Sequence, residues 1–198
     1  MSKIFLGSLL GAIACLIWGA VSWFVLQWHG NSLYKFNHEA EVAAVISANA
    51  DHTGVYMLPS TIGNMEHTPR EDAAATRKSA GLALINGPFV YSIVRIGNRN
   101  VSMWLNVAFS FLRSFVACFV IALMLAWTVR LDYLQRVFFC ALAGFFAGLV
   151  SDVPMMIWFE EPVHYALISM AGHLCEWFLA GLIIAAFVPG SELWEKMR

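Results

Sequence analysis

Four side chains able to carry charge or move protons interrupt sequence that is otherwise apolar: Arg113, Asp152, His173 and Glu176. His173 and Glu176 stand three residues apart in AGHLCEWFLAGL (171–182), so a helix presents both on one face. Three chemistries fit this set. An Arg, two carboxylates and an imidazole can neutralise one another as an internal polar clasp, because buried charges must be paired. The same groups can relay a proton or pass a small solute. His-x-x-Glu also places two metal ligands together, but paired-metal bundles draw on several carboxylates and two histidines, and here the set is short. One base against two acids and one titratable His favours the clasp, with Asn106 completing its hydrogen bonds. No metal and no cofactor is expected.

The elements that must hold these residues are membrane helices. The 198-residue chain is 60% hydrophobic and 13% charged, whereas about a quarter of a soluble domain is charged. Its mean hydropathy is +0.67. Four apolar runs, 4–28, 103–129, 137–159 and 163–188, each reach the roughly 20 residues that a helix needs to cross a bilayer. The first is too long for the apolar region of a signal peptide and reads as an uncleaved anchor. Net charge is −1, which supplies no basic field for nucleic acid. The cysteines Cys15, Cys118, Cys140 and Cys175 fall one in each run with no CxxC spacing, and read as small apolar side chains.

Depth and face bring the charged groups together. At 1.5 Å per residue, Arg113 and His173 lie about 15 Å from the ends where their helices begin, and Glu176 about 20 Å. Asp152 is shallower, about 9 Å from the end of its helix. Small residues recur every fourth position: Gly7, Gly11, Cys15 and Gly19 on the first helix, and Cys140, Gly144 and Gly148 leading to Asp152 on the third. Such stripes let membrane helices approach closely. Asn106, Ser110 and Arg113 share a stripe, as do Ser169, His173 and Glu176, so the ionisable groups should point into the bundle.

Residues 29–102 form an insertion between the first two membrane helices. HEAEVAAVISANA reads as a helix with Asn37 as N-cap. VYML (55–58), LALIN (82–86) and FVYSIVRI (89–96) read as strands, and 61–80 as a mobile, turn-rich segment. The histidines His29, His38, His52 and His67 are too widely spaced for a compact metal motif and read as exposed or locally bonded. Trp23, Trp28, Trp104 and Trp158 fall near helix ends, as in an interfacial aromatic belt. Glu160 and Glu161 read as a solubility feature of a short link.

Lys3, Arg130, Arg136, Lys196 and Arg198 flank one set of helix ends, which places both termini in the cytoplasm and the insertion outside. The expected fold is an all-α membrane protein, a four-helix transmembrane bundle with a small extracytoplasmic α+β cap between helices 1 and 2. The expected setting is a bacterial inner membrane. No catalytic constellation is present, so the expected role is a non-catalytic membrane subunit or assembly factor of a larger complex. Its partners would be the lipid bilayer and other membrane subunits, or further copies of itself. The alternative is a small transporter or channel component that moves protons or a small solute through the polar cluster.

Overall fold

A computed structural model describes residues 2–60, 70–97, 102–128 and 131–188. Four helices long and apolar enough to span a bilayer dominate it: α1 (Ser2–Ala20), α4 (Met103–Ala126), α5 (Tyr133–Phe159) and α6 (Val163–Phe187). The chain is a four-span membrane protein. Between α1 and α4 it carries a small insertion with α2 (Glu39–Asn49), β1 (Gly54–Leu58), α3 (Arg70–Asn86) and β2 (Val90–Val94). The polypeptide divides into two compact units, residues 35–100 and the rest.

In the membrane unit, α5 packs along α6, α6 along α1, and α1 along α4, while α4 barely meets α6. Small residues set these contacts. A Cβ on Gly144 would lie 2.7 Å from the His173 carbonyl oxygen and 2.5 Å from the Trp177 ring, so α5 and α6 touch only because that atom is absent. Gly148 meets Met170 of α6, Gly7 meets Phe187, and Gly11 meets both Ile184 and the Cys118 sulfur. Gly19 differs from the expected packing role: nothing lies within 4 Å of its Cβ position.

The core is concentrated where α1 begins and where α4 and α6 end, around Ile4, Ala12, Cys118, Ala122, Leu125, Ala180 and Ile184. All six buried residues of α4 lie from Ser114 onward, and Met103–Ser110 are exposed on every side. The insertion-side half of α4 therefore stands off from its neighbours.

Helix ends differ from expectation for identifiable reasons. α5 begins at Tyr133, not 137, because Asp132 caps it: Gln135 N–H donates to Asp132 Oδ1 at 2.9 Å, and Asp132 N–H donates to Gln135 Oε1 at 3.0 Å. This reciprocal pair is a capping box. The same helix runs through Pro154, which has no N–H to donate to the preceding turn. α1 gives way to a single π turn, Val21–Val25, closed by Leu26 N–H to the Val21 carbonyl, and ends before Trp28.

In the insertion, β1 and β2 pair antiparallel, with Val55 opposite Ile93 and Met57 opposite Tyr91. α2 starts at Glu39 with His38 at the cap position and no side-chain cap, so Asn37 does not serve as N-cap. LALIN is not a strand. It is the last part of α3, which takes in residues 70–80 of the segment expected to be mobile, while 61–69 lie outside the described residues. Ala and Leu are strong helix formers, and Gly87 closes the helix by donating its N–H to the Ala83 carbonyl.

Candidate functional site

The stand-off of α4 opens a cavity of about 650 Å3 between α1, α4 and α6 within the membrane unit. Its walls come from Trp18, Gly19 and the π turn on one side, and from Asn106, Ser110 and Arg113 on α4. Ser169, His173 and Glu176 line it from α6. Gly19 thus faces the cavity and not a helix.

The charged residues form two separate pairs that share α6. An Arg113 terminal nitrogen donates to Glu176 Oε1 at 2.8 Å and also to Ser114 Oγ at 3.0 Å. The Glu176 side chain is 14% exposed and that of Arg113 65%. One turn earlier on α6, His173 Nε2 lies 3.9 Å from Asp152 Oδ2. Asp152 Oδ1 accepts from Ser151 Oγ at 3.0 Å, whereas buried Oδ2 has no hydrogen-bond partner. α4 and α5 share no substantial contact, so the residues do not meet as one three-helix knot. Asn106 lines the cavity about two turns from Arg113, and its side chain makes no hydrogen bond among the described residues.

This pairing bears on metal binding. His173 and Glu176 share a helix face, yet one turns to Asp152 and the other to Arg113. Among the described residues, no three His, Cys, Asp or Glu side chains converge as a ligand set.

His29, assigned to the insertion by sequence, belongs to the membrane unit and lines the cavity. Its ring stacks on Trp23 at 4.9 Å and 17° and meets Trp28 edge-on. Burial, and then the neighbouring His173, push its pKa below the usual histidine value. Trp23 and Trp28 are therefore part of the cavity rim and its support, beyond any role at the membrane interface. Trp28 donates to Ser22 Oγ at 2.7 Å, and Trp18 donates across to the Gly172 carbonyl at 3.1 Å, tying α1 to α6. Sequence reasoning missed His29 because the apolar run ends at Trp28, so the histidine that follows counts with the insertion.

Two further relationships were not visible in spacing. Cys15 and Cys118 bring their sulfurs to 3.9 Å across the α1–α4 contact, beside the cavity floor. Glu161 has its pKa raised, first by burial and then by Asp152, so the acids of the α5–α6 link and of the Asp152–His173 pair feel one another.

The arrangement can hold a small molecule in apolar walls, offer it hydrogen-bond donors, and present titratable groups at its edge. Comparison with known protein families, characterised proteins and solved structures finds no match.

Proposed function

We propose that the chain is a non-catalytic membrane subunit or assembly factor of a larger membrane complex. The observation that carries this reading lies in the insertion. Among the described residues of 35–100, only Ala50 is buried. Phe36, Val45, Val55, Leu58, Ile85 and Ile93 are each more than half exposed, and Ile93 reaches 80%. Val55 and Ile93 lie directly opposite each other, so their apolar side chains share one face of the hairpin. A lone two-stranded hairpin is marginal in water, and so is an 11-residue helix with no buried face. Exposed apolar surface of this extent marks an interaction site. A partner protein that covers this surface completes the unit. Glu176, largely enclosed and paired with Arg113, acts as a clasp in the membrane unit, in keeping with a structural role.

The distribution of Lys and Arg supports a bacterial inner membrane with both termini cytoplasmic and the insertion outside. Native purification in mild detergent tests the main reading: other chains should co-purify at fixed stoichiometry. A monomer that runs alone at every detergent strength overturns it.

A second reading, a small transporter or channel component moving protons or a solute, is favoured by the Asp152–His173 pair. Its one unpartnered carboxylate oxygen sits beside a cavity-lining imidazole. Under that reading Asp152→Asn abolishes flux in proteoliposomes while expression stays normal.

A further inference from the structure

The cavity between α1, α4 and α6 measures about 650 Å3. That volume suits a small organic ligand, since clefts and cavities for such molecules run from about 300 to 1,000 Å3.

The walls specify its chemistry. Trp18, Trp23 and Phe24 supply flat aromatic surface along one side. On α4, Asn106 and Ser110 offer an amide and a hydroxyl that have no hydrogen-bond partner among the described residues. Arg113 uses one terminal nitrogen for both Ser114 and Glu176, which leaves its other N–H groups uncommitted. The free Arg113 N–H groups can only donate, and the Asn106 amide and Ser110 hydroxyl can donate beside them, which matches a ligand that brings oxygen acceptors. It must also be neutral, because Glu176 already balances Arg113 and an anion would bring uncompensated charge. Arg113 is ten residues from Met103, about 15 Å along the helix and near the middle of a 30 Å apolar layer. A phosphate head group would shed its water to arrive there, whereas a neutral carbonyl compound dissolved in the membrane would not.

The geometry points to this cavity as a binding site for a neutral, membrane-dissolved compound of the quinone class. Asn106, Ser110 and Arg113 donate to its carbonyl oxygens, and Trp18 and Trp23 flank its ring. The apolar tail leaves toward lipid past the exposed half of α4. Binding here does not depend on a protein partner, so the proposal stands or falls apart from the subunit reading.

The test uses the full-length chain in phosphatidylcholine nanodiscs, titrated with a decyl-substituted benzoquinone while tryptophan fluorescence is followed. Quenching saturates at one quinone per chain and is largely lost in Trp18→Phe/Trp23→Phe. Asn106→Leu and Ser110→Val, whose native side chains hold no internal hydrogen bond, weaken the apparent affinity about tenfold each, with unfolding temperature unchanged. Decanol, a chain without a ring, competes at least tenfold less well than the quinone. Quenching that rises linearly without saturation, or unchanged affinity in both α4 variants, overturns the proposal. So does decanol that competes as well as the quinone, which would make the cavity a slot for any lipid chain.

Discussion

Arg113 and Glu176 form an unequal pair: the guanidinium reaches the carboxylate at 2.8 Å, yet the Glu side chain is enclosed and the Arg side chain lies largely open to the cavity. The carboxylate therefore depends on the arginine more than the reverse. Removing Arg113 strands an anion inside the bundle, while removing Glu176 leaves a cation that still reaches cavity space.

Arg113→Gln should cost about 1–3 kcal/mol of stability, below the full penalty for breaking a buried pair because one partner is exposed. Glu176→Gln should cost less. The double variant should recover most of the Arg113→Gln loss, and a double-mutant cycle of unfolding free energies measures that coupling. Strictly additive losses would contradict the clasp.

Two glycines on equivalent-looking stripes should respond in opposite directions. Gly144→Ala drives a Cβ into the His173 carbonyl and should destabilise by about 1–3 kcal/mol, the usual cost of overpacking. Gly19→Ala meets open space and should stabilise by up to about 1 kcal/mol through helix propensity. Thermal unfolding of the two variants in one detergent compares them directly.

The acid limb of stability should report His29. Its pKa is lowered in the folded chain, so the unfolded chain takes up the proton first as pH falls. The stabilisation is complete above about pH 6.5 and is lost as pH drops through the lower folded value. His29→Gln should flatten that decline. Glu161 works in the other sense: its raised pKa means folding favours the protonated acid, and stability is lost as pH rises above the ordinary carboxylate range. Glu161→Gln should therefore raise the unfolding temperature at pH 7. Unfolding midpoints between pH 4 and pH 8 check both.

A membrane-permeant disulfide oxidant should join Cys15 to Cys118, whose sulfurs are 3.9 Å apart. Each thiol gives up a proton and the oxidant takes two electrons. Peptide mapping should recover one linked pair with Cys175 still free. A Cys140 link in its place would contradict the α1–α4 packing.

Much of this fold was legible from residue pattern, and the exceptions have physical causes. The four spans follow from the scarcity of charge over long runs, because lipid tolerates little else. The Asp132-x-x-Gln135 box was present in the sequence, but a boundary drawn at the last charged residue passed over it. LALIN is short and apolar, a pattern that helix and strand share, and its continuity with the Ala-rich turns before it decided the outcome. Depth counting placed Arg113 level with Glu176, but it could not show that Asp152 turns to His173 instead, because partner choice depends on which helices touch. The cavity was invisible for the same reason: a stripe of Asn106, Ser110 and Arg113 reads alike whether it faces a helix or a gap.

The π turn at Val21–Val25 makes the cavity depend on residue count as much as on residue type. An α-helix advances about 100° per residue, and the turn absorbs one residue more than a regular helix would. Deleting a single residue there lets the helix continue unbroken but swings everything beyond it by about a quarter turn. His29 would leave its stack on Trp23. The chain at this point behaves like a ratchet held one tooth off, and the wall it gives to the space beside α6 is set by that tooth.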